Sequence, residues 1–128
     1  MQFTRLGLIL LTKNYEACVD FYTKTLGLPV MYEKDEPGST LTCCDFGGAY
    51  LMIEVGGPEP PQPENKSKTI EQNPTKLRFN VEDVEATAAE LRQKGVAIQV
   101  ETYPWGTIAD FTDPDGNLCS LRDEGSFR

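Results

Sequence analysis

Residues 6–27 read LGLILLTKNYEACVDFYTKTLG, and the architecture of the chain follows from how this stretch is punctuated. Leu6-Gly7-Leu8-Ile9-Leu10-Leu11 is an apolar strand. Asn14 is placed to cap a helix on which Cys18, Phe21, Tyr22 and Leu26 recur at helical spacing, and Gly27, followed by Pro29, ends it. The same plan returns downstream. Leu77, Phe79 and Val81 alternate as in a strand, Asp83 caps, Val84, Ala88 and Leu91 form the apolar stripe, and Gly95 stops the helix. In this second helix acids come early (Glu82, Asp83, Glu85) and bases late (Arg92, Lys94), as the helix dipole favours.

After each helix the period changes to that of strands. Val30 and Tyr32 begin one series, Glu36-Pro37-Gly38-Ser39 turns, and Thr40 to Phe46 and Ala49 to Val55 flank Gly47-Gly48 as a hairpin. The second series has Val96, Ile98 and Val100, a rim segment at Tyr103-Pro104-Trp105-Gly106, and strands over 107–112 and 117–122 around the turn Asp113-Pro114-Asp115-Gly116. The predicted fold is α+β: one domain over 1–128 built from tandem βαβββ modules, 1–55 and 76–128. These form a cupped mixed sheet with helices on its outer face. Between them lies a Pro-rich linker, 56–75, carrying Pro58, Pro60, Pro61 and Pro63.

Composition narrows the chemistry. The 128 residues include no histidine, which excludes Ser-His-Asp and Cys-His nucleophile systems and any metal site that needs imidazole. A net charge of -8 argues against nucleic acid, because phosphate neutralisation needs clustered Lys and Arg. Cys18, Cys43, Cys44 and Cys119 lack zinc-site spacing and are expected as buried free thiols. The longest apolar run, 6–11, is too short to cross a bilayer, and no leader pattern opens the chain, so a cytoplasmic protein with no membrane contact is expected.

The repeat, with Tyr15-Glu16-Ala17-Cys18-Val19-Asp20-Phe21-Tyr22 leading to Leu26-Gly27-Leu28 and with Phe111-Thr112-Asp113-Pro114-Asp115-Gly116-Asn117 near the end, resembles the vicinal oxygen chelate superfamily. That superfamily includes glyoxalase I, extradiol dioxygenases, and fosfomycin- and bleomycin-resistance proteins. In its metal-dependent members, the resemblance implies, a metal is held by His or Glu from the first and last strand of each half. Transferred to this chain, those positions fall at Gly7, Glu54, Lys76 and Ser120. Only Glu54 has a suitable donor, so neither a metal nor a cofactor is expected.

Strand alternation then sorts the side chains. If those four positions look into the cup, so do Ile9, Tyr50, Met52, Arg78, Asn80, Leu118 and Arg122, with Ile108 and Asp110 beside them. The intervening residues, including Leu51, Ile53, Leu77, Phe79, Cys119 and Leu121, face the helices. Glu54, Lys76, Arg78, Asp110, Trp105, Tyr50, Met52, Ser120 and Ile9 are the candidate ligand-binding residues. The inward charges either neutralise one another, or Lys76 or Arg78 holds an anionic group while Glu54 or Asp110 holds a donor or cation. Trp105 either stacks on a planar or cationic ligand or packs against the linker or a second subunit.

Three functions are compatible with this reading. The first is a metal-free binding protein, similar to the bleomycin-resistance branch, for a small amphipathic or aromatic ligand; the resemblance implies a homodimer. The second is a glyoxalase- or dioxygenase-like lyase or oxidoreductase using a carboxylate base or an atypical metal site, with catalytic residues unassigned. The third is an inert structural or interaction module.

Overall fold

The computed structural model describes residues 1–60 and 67–128. The chain divides into two compact units, Met1–Pro60 and Pro61–Arg128, each with one four-stranded mixed sheet. In the first, β1 (Gly7–Thr12), α1 (Tyr15–Asp20), β2 (Val30–Glu36), β3 (Ser39–Phe46) and β4 (Ala49–Val55) form a sheet of order β1-β4-β3-β2. In the second, β5 (Lys76–Val81), α2 (Val84–Gln93), β6 (Gln99–Tyr103), β7 (Gly106–Thr112) and β8 (Leu118–Asp123) form the order β5-β8-β7-β6. Each unit is therefore a βαβββ module with its first and last strands parallel and paired. The tandem α+β repeat expected from the sequence is present.

In the first unit the helix and one sheet face enclose the core. Cys18, Phe21 and Tyr22 meet Leu51, Ile53, Thr42 and Cys44, all buried. Alternation delivers this set, since Leu51 and Ile53 are two apart on β4, and Thr42 and Cys44 two apart on β3. The α1 start differs from expectation. Asn14 makes no side-chain cap bond; its backbone N–H instead donates to Thr12 Oγ1 at 2.9 Å. The helix then loosens into a π-helical turn, Phe21–Thr25, closed by the Leu26 N–H on Phe21 O at 2.9 Å, and Gly27 exits at φ +76°. The extra residue per turn keeps Phe21 and Tyr22 both on the buried side.

The second unit follows its sequence more closely. Asp83 caps α2, its Oδ1 accepting the Ala86 N–H at 3.0 Å, and Val84, Ala88 and Leu91 are buried. They pack with Leu77, Ile98, Ala109, Phe111, Cys119 and Leu121, also buried, and Phe79 stacks on Phe111 with ring centroids 6.5 Å apart. β6 begins only at Gln99, so Val96 to Ile98 lie before it. Tyr103 to Gly106 form the β6–β7 turn.

The turn at 113–116 is internally tied. Asp113 Oδ1 accepts the N–H groups of Asp115 and Asn117, both at 2.9 Å, and Asn117 Nδ2 donates to Asp113 Oδ2 at 2.9 Å. Residues 67–75, within the segment read as linker, are fastened to this turn. Lys68 Nζ donates to Asp115 Oδ2 at 3.1 Å and to Asn117 Oδ1 at 2.8 Å, and Asn73 Nδ2 reaches Asn117 Oδ1 at 2.8 Å. Asp115 is fully buried and Lys68 nearly so, which makes this a desolvated pair. Pro61 and Pro63 lie outside the described residues. All four cysteines are free and buried, as expected of packing thiols.

Candidate functional site

Each sheet has one face toward its helix and one away from it. The pairing registers identify the second set. In the first unit Gly7 pairs with Tyr50, Ile9 with Met52 and Leu11 with Glu54. β3 continues these rungs through Asp45, Cys43 and Leu41, and Tyr32 and Lys34 of β2 extend the last two. This inner face is apolar and largely open: Ile9 is 48 % exposed, Leu11 50 % and Tyr32 44 %. Glu54 is half-buried on it and, among the described residues, forms neither an ion pair nor a hydrogen bond.

Gly7 is where this face is built most tightly. A Cβ added there would lie 2.0 Å from Tyr50 Cζ and 2.2 Å from its Cε2, so the ring of Tyr50 lies in the space a side chain at position 7 would need.

In the second unit the inner face is charged. Lys76 pairs with Leu118, Arg78 with Ser120 and Asn80 with Arg122, and β7 adds Thr112, Asp110 and Ile108 to the same rungs. Lys76 Nζ meets Asp110 Oδ2 at 3.1 Å, reaching across the intervening strand β8. This is the mutual neutralisation that alternation allowed for two of the inward charges. Ser120, on the strand they bridge, is fully buried and donates to Leu121 O at 3.2 Å. Arg78 is exposed and makes no ion pair among the described residues. Gln99, Glu101, Ile108 and Asp110 line a depression of about 210 Å³ on this face.

The aromatic turn is occupied by its own unit. The Arg122 guanidinium lies 4.8 Å from the centre of the Trp105 ring, and its Nη2 donates to Trp105 O at 3.1 Å and to Ser126 O at 2.8 Å. Trp105 stacks in turn on Tyr103, with centroids 5.1 Å apart and planes 3° apart. The Tyr103 hydroxyl donates to Glu101, and this bond to a carboxylate raises the phenol pKa above its ordinary value. Trp105 nonetheless remains 50 % exposed. Sequence reasoning saw the tryptophan but not its partners. The available signal was the pair Tyr103 and Trp105 two apart across a Pro turn, with Arg122 on the inward face of β8.

The registers also show where the two units differ. In the second unit Lys76 stands beside Leu118, and Ser120 is two residues further along β8. In the first unit Gly7 stands beside Tyr50, and two residues further along β4 is Met52. By rung, the place of Ser120 in the second unit is that of Met52 in the first, and Glu54 lies one rung beyond, at the place of Arg122. Alternation could not reveal this, because a shift of two residues keeps every side chain on the same face.

The positions that the resemblance gives for metal ligands are Gly7 and Glu54 in one unit and Lys76 and Ser120 in the other. These donors do not fit a divalent transition metal. Glycine offers none and its space is filled by a ring. Glu54 supplies a single carboxylate, the ammonium is held by Asp110, and the serine hydroxyl is buried against its own strand. Among the described residues no group of three or more Cys, Asp or Glu is arranged to hold a metal ion.

Comparison with known proteins agrees with this architecture. The chain is 31 % identical over 121 residues to the uncharacterized protein YraH of Bacillus subtilis (strain 168), a match covering 88 % of this chain and 91 % of that one. Its fold matches TnmS3, an antibiotic binding protein from Streptomyces sp. CB03234, with a TM-score of 0.70 and 25 % identity over 96 % of this chain and 98 % of that one. It also matches the trypanothione-dependent glyoxalase I of Leishmania major, with a TM-score of 0.74 and 23 % identity over 98 % and 89 % of the two chains. The sequence model of the glyoxalase/bleomycin resistance protein/dioxygenase superfamily matches residues 5–121, and the chain belongs to that superfamily.

Proposed function

We propose that the chain is a metal-independent small-molecule binding protein, and that the ligand is an amphipathic or aromatic compound. The observation that carries this is the Gly7–Tyr50–Met52 arrangement. At Gly7, where the resemblance places a metal donor, this chain presents the phenol ring of Tyr50, with a thioether and an open apolar surface beside it. Such a surface, with a few placed polar groups, is the usual composition of a small-molecule site. The likeness to an antibiotic binding protein at 25 % identity supports the same reading. A homodimer, which the resemblance implies, is part of the proposal, and the exposed apolar residues Val30 and Met31 of β2 are suited to being covered.

The test is titration of chelator-washed protein with dansylamide, followed by fluorescence. Saturable binding that added Zn²⁺ or Ni²⁺ leaves unchanged is expected. Absence of binding, together with turnover of a glutathione hemithioacetal or a catechol, would assign the chain to the enzymatic alternative.

A further inference from the structure

We infer that Glu54 is the recognition group for a protonated amine carried by an apolar ligand seated on the inner face of the first sheet. The inference rests on the binding function proposed above and adds the chemical class of the ligand.

Three features of this face lead to it. Ile9, Leu11 and Met52 surround the position of Glu54 on adjoining rungs, and Tyr50 and Tyr32 extend the apolar surface along and across the sheet. Two carboxylates on this surface are half-buried: Asp45 accepts the Gly48 N–H at 3.0 Å, whereas none of the described residues neutralises Glu54 or donates a hydrogen bond to it. Lys34 shares its rung but lies on β2, beyond β3, and is exposed to solvent.

A half-buried carboxylate among apolar side chains without a countercharge gains a partner when a cation arrives, and the cation's own apolar cover shields the pair from water. An ammonium does this better than a neutral donor, because a charge-assisted hydrogen bond is roughly twice as strong as a neutral one. A net charge of -8 further favours approach of a cation. The exposed apolar surface of Ile9 and Leu11 gives the ligand body its contact area.

Monodansylcadaverine and N-pentyl dansylamide share the fluorophore, the sulfonamide and a pentyl chain and differ in the terminal protonated amine, so they form a matched pair of probes. Wild-type protein should bind the amine about tenfold more tightly, the fold-change expected from one charge-assisted hydrogen bond. Glu54→Gln and Glu54→Leu should both reduce that preference to about onefold. Equal affinities in the wild type, or a preference that survives both substitutions, would overturn the inference but leave the binding function standing. If neither probe binds, the binding function fails as well. If Ile9→Asp converts a dimer to a monomer in sedimentation and the amine preference is absent, the face belongs to a second copy of the chain and the inference is overturned.

Discussion

At Gly7 a single hydrogen atom in place of a side chain decides the surface of the first sheet. The ring of Tyr50 lies over it, so Gly7→Ala should force the ring aside at a cost of about 1 kcal/mol, the lower end for overpacking. In a Tyr50→Ala background the same change should be neutral or stabilising, because alanine restricts the unfolded chain. Urea unfolding of the four proteins checks this; additivity would show that the two residues are not coupled. Cys44 gives a second prediction. Burial pushes its thiol up to about 11 from the ordinary 9.0, with Cys43 and Glu33 adding to the shift. A group whose folded pKa is raised contributes stability that is present below its unfolded pKa and is lost as pH rises toward the folded one. The melting temperature should therefore fall between pH 9 and 11, and Cys44→Ala should flatten that fall relative to its own value at pH 7. Neither effect is visible in the sequence, where Gly7 is one glycine in an apolar run and Cys44 one of two adjacent thiols.

The elements divide between those set by local chemistry and those set by packing. For α2, cap, stripe and stop agree, and Asp83→Ala should cost about 1 kcal/mol in chemical denaturation through loss of the bond to the Ala86 N–H. For α1 the punctuation is equally plain, yet the start is set by the backbone bond to Thr12 and the end by a π-helical turn. Spacing along a chain cannot show that three-dimensional choice. The segment 67–75 is a similar case. Its composition reads as a linker, whereas Lys68 is tied into the turn at 113–117. Lys68→Met should destabilise the protein by about 3 kcal/mol, because it leaves the buried Asp115 without its cation. A change below about 0.5 kcal/mol in denaturant melts would count this pair among surface salt bridges of little consequence.

For the molecule as a whole, the prediction with the widest reach concerns metal. Chelator-washed protein dialysed against Ni²⁺, Zn²⁺ or Mn²⁺ should retain less than stoichiometric metal by elemental analysis, since among Gly7, Glu54, Lys76 and Ser120 a single carboxylate is the one suitable donor. Stoichiometric retention lost on Glu54→Ala or Ser120→Ala would refute this. By itself the sequence determined the tandem βαβββ plan, the helix-facing apolar sets and the absence of imidazole chemistry. Those depend on period, composition and turn residues, which are local properties of the chain. Only the tertiary structure decided which residues stand beside one another across strands: Met52 rather than Glu54 at the rung matching Ser120, Tyr50 over Gly7, Lys76 on Asp110, and Arg122 on Trp105. The physical reason is that a strand repeats every two residues. A two-residue shift leaves the buried face intact and costs the sequence pattern nothing, and it is backbone pairing that selects one register from the rest.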